Sequence, residues 1–145
     1  MKSKLFLISF ILFSGVCLGQ KKVTWTDLSN VEFTDKFFPE YGELFLYPNF
    51  DKNLILLDGQ QITITGYFLN ISPDDNIYIL SKEPMAMCFF CGRGGPETAI
   101  ELKFKTKPQF KTDDIVTVTG TLNLNADDVN HLIYILSNCS IQKAN

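Results

Sequence analysis

The sequence predicts a mainly β protein, a small five-stranded barrel preceded by a short mixed extension. Three observations predict it. From Gln60 onward the chain alternates apolar and polar residues with a period of two, the pattern of a half-buried strand. Turn clusters such as Ser72-Pro73-Asp74-Asp75-Asn76 separate the alternating runs. The two longest runs each hold a glycine, Gly66 and Gly120, where a strand can bend sharply enough to close a small barrel.

The chain opens on Lys2 and Lys4, followed by the uninterrupted apolar run Leu5–Phe13 and the short stretch Ser14-Gly15-Val16-Cys17-Leu18-Gly19. A charged start, a brief apolar core and small residues beyond it form the pattern of a secretory signal peptide. The run is shorter than the ~20 residues of a membrane span, so no stable span is expected after cleavage. Cleavage is expected between Gly19 and Gln20, which makes residues 1–19 the signal peptide and the mature protein periplasmic or secreted. Cys17 raises lipid attachment as a competing fate, but Val16 stands where Gly or Ala is expected before a lipidated cysteine, so plain cleavage is favoured. The mature chain then has 126 residues, and loss of Lys2 and Lys4 takes the net charge from −3 to −5.

Residues 20–58 read as an N-terminal extension packed on the barrel, and residues 59–145 as the barrel domain. Thr24 or Thr26 is placed to cap a short helix around Trp25–Leu28. Pro39 and Gly42 punctuate the next stretch, and Glu43–Tyr47 reads as a strand ended by Pro48-Asn49. In the first barrel strand Ile62, Ile64, Gly66 and Phe68 alternate with Thr63, Thr65 and Tyr67. Ile77–Leu80 follows as the second strand of a hairpin. Ala99–Lys105 is the third, with Ile100, Leu102 and Phe104 on one face. Ile115–Asn125 is the fourth and cleanest, and His131–Ile141 the last.

The segment Asp58–Phe68 (DGQQITITGYF) resembles the opening strand of OB-fold-like bacterial proteins, and Asp114–Leu122 (DIVTVTGTL) resembles their fourth strand. With the loop Pro84–Gly92 (PMAMCFFCG), the chain more narrowly resembles an uncharacterised group of secreted OB-fold-like proteins from Bacteroidetes-type bacteria, over roughly residues 23–140. The resemblance implies an OB-like barrel and an extracytoplasmic setting. It implies no activity.

Composition and motifs exclude several function classes. An acidic mature chain lacks the basic surface that neutralises phosphates, so no nucleic-acid partner is expected. The largest basic group, Lys103, Lys105 and Lys107, has the spacing of one solvated strand face. The chain contains no nucleophile elbow, zinc-protease helix or phosphate-binding glycine loop, and His131 is its one histidine. Asp74-Asp75 and Asp127-Asp128 lack the alternating spacing of a calcium loop. No catalytic residue is assigned, and an enzyme is not expected beyond weak thiol chemistry.

The segment with chemistry is Ser81–Glu97, where Cys88 and Cys91 form a C-x-x-C pair flanked by Met85, Met87, Gly92, Gly94 and Gly95. A two-residue gap lets both sulfurs face one centre, and thiolates with thioethers favour a soft ion, Zn or Cu(I). Met85, Met87 and His131 are further candidate ligands, each of which also fits a plain packing or turn role. His131 and Cys139 bracket the last strand ~26 Å apart at the rise of an extended chain, so both cannot join one site. Cys139 reads as a small buried residue or a free thiol. Phe89, Phe90 and Arg93, the one arginine, are candidate binding residues of the same loop, although an aromatic pair also suits the plug of a barrel end.

The functional expectation is a secreted binding module handling Zn or Cu through this loop, with a metal ion or an envelope protein as partner. Two alternatives stay open: an interaction domain whose Cys88–Cys91 pair is a structural disulfide, and a thiol–disulfide redox protein. The Gly-Arg-Gly-Gly-Pro run after Cys91 breaks the helix that redox chemistry places there.

Overall fold

The computed structural model describes residues 19–144, apart from the side chain of Phe89. The expected signal segment up to Leu18, with Cys17, lies outside the described residues. The elements run β1 (Lys21–Lys22), α1 (Trp25–Leu28), β2 (Val31–Phe38), β3 (Glu43–Phe50), α2 (Lys52–Ile55), β4 (Gln61–Ser72), β5 (Ile77–Ser81), β6 (Ala99–Leu102), β7 (Ile115–Leu124) and β8 (Tyr134–Lys143). Single 3₁₀ turns at Met85–Met87, Phe89–Cys91 and Pro96–Thr98 fill the long connection between β5 and β6.

Five strands close a barrel. β4 pairs antiparallel with β5 and β7, β5 with β6, and β7 with β8, while β6 and β8 close the ring in parallel. This order, with one parallel pair, is the OB arrangement. β1 adds to β4 in parallel, Lys21 beside Ile62, on the edge that β5 reaches only further along. The alternation places Ile62, Ile64 and Phe68 of β4 and Val116, Val118 and Leu122 of β7 inside. Val23, Leu28, Leu54 and Leu57 join the same core from the N-terminal segment.

Both strand glycines sit at close approaches. A Cβ on Gly66 would lie 2.6 Å from the Ser81 carbonyl oxygen, and one on Gly120 would lie 2.9 Å from that of Ser137. At Gly120 the β7–β8 register also shifts, between Thr119 and Thr121, the mark of a bulge that turns the sheet.

The short helix forms where expected, on Thr24. Its hydroxyl accepts from the Asp27 N–H at 3.3 Å, and Asp27 returns a bond to the Thr24 N–H at 2.8 Å, a capping box. Two long-range bonds fasten it: Trp25 Nε1 donates to the Thr65 carbonyl at 2.9 Å, and the buried Tyr134 hydroxyl donates to the Leu28 carbonyl at 2.6 Å.

Three boundaries differ from the sequence expectation. Pro48 does not end β3 but sits within it, opposite Phe33 of β2. The Asp51 N–H donates to the Asn30 carbonyl at 3.3 Å, which fixes hydrogen-bonded pairs at even β2 positions and turns the Pro48 nitrogen to the ribbon's open edge, where no donor is required. β6 stops at Leu102, so Lys103, Lys105 and Lys107 do not share a strand face. β8 begins at Tyr134, which leaves His131 in the preceding loop.

Candidate functional site

The β5–β6 connection folds back over the outer face of the barrel. The Met85 N–H is anchored by the Asp113 carboxylate at 2.7 Å, and the Cys91 N–H closes a turn onto the Cys88 carbonyl at 3.0 Å. Gly92 follows at φ +73, a conformation that favours glycine and carries the chain away from the pair. The two cysteines differ in setting. Cys88 is buried against Leu69, Ile79 and Ala99, with Met85 and Leu132 packed on the same cluster. Cys91 is exposed and its thiol donates to the Met85 carbonyl at 3.1 Å.

Desolvation, then hydrogen bonding to the Cys88 thiol, pushes the Cys91 thiol above its ordinary range, and Arg93 pulls weakly the other way. The turn that the Cys91 N–H closes onto the Cys88 carbonyl holds the two residues together, with the chain's single arginine two positions further on. Cys88, Cys91 and Cys139 are all free thiols. Burial pushes the half-buried Cys139 thiol up to about 11, and its Sγ donates to the Leu136 carbonyl at 3.1 Å.

Beside the thiols lies a groove of about 310 Å³ on the outer face of β5 and β6. Ile77 and Ile79 line it, with Phe90 from the cysteine loop and His131 and Leu132 from the β7–β8 loop. Glu101 of β6 also lines the groove. The His131 Nδ1 lies 2.9 Å from Glu101 Oε2, the Leu132 N–H donates to the same oxygen at 3.3 Å, and Lys103 pairs with the other oxygen. Burial works against ionisation of Glu101, but the Lys103 ammonium and the His131 ring outweigh it and hold the carboxyl below its ordinary range. A second groove of about 360 Å³, between the β2–β3 ribbon and the β7–β8 loop, shares Val129 and His131 with the first.

The structure thus joins Cys88 and Cys91 through one turn, and lines one groove with both Phe90 and His131. Met85 packs on the cluster that contains Cys88, whereas Met87 is 44% exposed. The Phe89 side chain lies outside the described part. Among the described residues no three His, Cys, Asp or Glu side chains converge as a metal set, so His131 does not join the two thiols in one. Gly19 and Gln20 are exposed and precede β1.

Glu101 was not a candidate in the sequence. On an alternating strand it reads as an outward, solvated residue, yet all four residues of β6 are buried because the β7–β8 loop covers its outer side. A lone carboxylate inside the four-residue apolar run Ala99–Leu102 is the signal that marks it.

No family model matches the chain, and no curated protein matches it. Among solved structures it is similar to a DUF3299 family protein from Pseudomonas aeruginosa PAO1, with 12% sequence identity and a TM-score of 0.57, covering 88% of this chain and 97% of that one. At that identity the likeness establishes the architecture, a small mainly β barrel, shared over nearly the whole length of both chains.

Proposed function

We propose that the protein is a secreted binding module whose Cys88–Cys91 pair takes one soft metal ion, Cu(I) by its donor chemistry. The observation behind this reading is the thiol pair itself: one cysteine buried, one exposed, joined by a single turn in which the Cys91 N–H donates to the Cys88 carbonyl at 3.0 Å. Two thiolates suit Cu(I), and Met85, a thioether residue, packs on the cluster that buries Cys88. A closed zinc site needs four donors, and this setting offers two thiols, so Cu(I) is the better fit. The apolar groove beside the pair, with Glu101, Lys103 and His131 at its wall, is the surface on which a protein or small-molecule partner would be read. It lies on the strand face that OB barrels use for ligands.

The same two-residue gap favours a second reading, a local disulfide in an oxidising compartment that staples the loop of an interaction domain. A thiol redox enzyme is the weakest of the three. A thiol nucleophile needs a lowered pKa, and Cys91 is shifted the other way.

Anaerobic Cu(I) titration of the reduced mature chain against a colorimetric chelator tests the proposal. One equivalent should bind tightly, Cys88→Ser and Cys91→Ser should each abolish binding, and Cys139→Ser should leave it intact. Thiol counting on unreduced protein separates the second reading, since a Cys88–Cys91 disulfide leaves only Cys139 to react. Failure of the reduced chain to compete for Cu(I) would overturn the metal assignment.

A further inference from the structure

Independent of the thiol site, the β2–β3 ribbon presents a pairing edge. Among the described residues no third strand joins it. The Asn30–Asp51 bond and the continuous register that follows place the hydrogen bonds to β3 at even β2 residues. The N–H and C=O groups of Val31, Phe33, Asp35 and Phe37 therefore point away from β3. On the β3 side the outward row is interrupted by Pro48. The β2 edge has no proline, and its far end is flanked by exposed apolar side chains, Phe37 at 56% and its cross-strand partner Leu44 at 64%. An edge of this kind pairs with another strand unless something blocks it.

We propose that β2 pairs antiparallel with β2 of a second copy of this chain, about a two-fold axis through Thr34. The residue pattern selects that partner and that register. Outward groups at odd positions must meet odd positions, so the axis has to pass through a residue rather than between two. Centring on Asp35 or Lys36 sets like charges face to face, and centring on Phe33 uses a shorter stretch of the edge. Centring on Thr34 engages Val31 through Phe37, sets Glu32 opposite Lys36 on both sides of the axis, and sets Val31 opposite Phe37. Glu32 has no ion pair among the described residues, and Lys36, whose ammonium lies 3.0 Å from Asp127 and 3.8 Å from the centre of the Tyr47 ring, keeps a side chain 44% exposed. The contact is isologous: one patch, used twice. It yields a four-stranded sheet, β3–β2–β2–β3, with Phe37 and Leu44 of each copy on one face.

Sedimentation velocity of the mature chain over a concentration series tests this. Twice the monomer mass is expected at high concentration. Glu32→Lys, an exposed position, should weaken the dimer about tenfold by placing two lysine pairs in opposition. The charge-swapped variant Glu32→Lys with Lys36→Glu should restore it. Asp35→Pro removes one outward N–H while sparing the bonds to β3, and should abolish it. A chain that stays monomeric throughout, a dimer indifferent to Glu32→Lys and Asp35→Pro, or a swap that fails to restore association would each overturn the proposal. Circular dichroism of each variant separates lost pairing from lost folding.

Discussion

Gly66→Ala is the substitution from which the packing of this fold is most directly read. The new methyl would meet the Ser81 carbonyl oxygen at 2.6 Å, the Trp25 ring at 3.0 Å and Leu80 at 3.1 Å. None of the three can yield freely. The carbonyl belongs to β5, which is held in register against β4 at Tyr67 and Ser81. Trp25 is pinned through its bond to the Thr65 carbonyl at 2.9 Å. Overpacking of this kind costs about 1–3 kcal/mol, and release of the indole bond adds about 1 kcal/mol. Restriction of the unfolded chain returns about 0.4–1 kcal/mol. The net loss is about 2–3 kcal/mol, out of a stability that for single domains is about 5–15 kcal/mol. For a chain of this size that lowers Tm by about 6–12 °C. Urea unfolding should show a lower midpoint at an unchanged slope, and emission from Trp25, the one tryptophan, should change as the ring is displaced. Gly42→Ala is the control: there φ is +68 with open space around the Cβ, so it reports conformational strain without a clash. A Gly66→Ala protein with wild-type Tm and unaltered emission would refute the close approach of β4, β5 and α1.

Other consequences are as direct. Tyr134→Phe deletes the 2.6 Å bond to the Leu28 carbonyl and leaves that buried acceptor unpaired, so chemical unfolding should register a loss of about 1–3 kcal/mol. Because Glu101 is held below its ordinary value of 4.5 in the fold, it contributes stability above that pH, lost as the pH falls through the lower folded value; Tm of the native protein should therefore fall more steeply in acid than that of Glu101→Gln. Soft-metal binding at Cys88 and Cys91 must release thiol protons, and with Cys91 shifted upward the apparent affinity should rise across the neutral range, measured by the same titration at a series of pH values. Under native conditions a thiol reagent should label the exposed Cys91 well before Cys139, whose thiol is pushed up to about 11, and equal rates would contradict their settings.

How much of this was legible in the residues depends on how local the signal is. β4 and β7 declare themselves because one face is core and the other wet, so Ile62-Thr63-Ile64-Thr65 and Val116-Thr117-Val118-Thr119 write the pleat directly into the sequence. Thr24 and Asp27 announce a helix start within four residues. β2 hides, because most of its distal residues are exposed and Thr34, Asp35 and Lys36 blur any alternation. Pro48 misleads for a related reason, since on an open edge the missing N–H costs nothing. β6 shows no period of two because both of its faces are covered. The thiol pair is evident from its spacing, but the burial of Cys88 and the meeting of His131 with Glu101 are long-range facts that no window around either residue contains.

The same topology explains why the separate candidates meet at all. β6 and β8 run parallel, Glu101 beside Ile135, so the loops that lead into them emerge at one end of the barrel. One is the cysteine loop after β5, and the other is the stretch from Asn125 to Ile133 after β7. Leu132 from the second can then pack on the cluster around Cys88 from the first, while Phe90 and His131 face one groove. The ribbon is drawn to that end as well, through Lys36 to Asp127 at 3.0 Å and Asn130 to the Tyr41 hydroxyl at 3.2 Å. A barrel closed by antiparallel pairs alone would send those two loops to opposite ends. The parallel β6–β8 pair is thus what assembles the thiols, the Glu101–His131 contact and the apolar groove into one surface, although the β5–β6 and β7–β8 loops are separate in sequence.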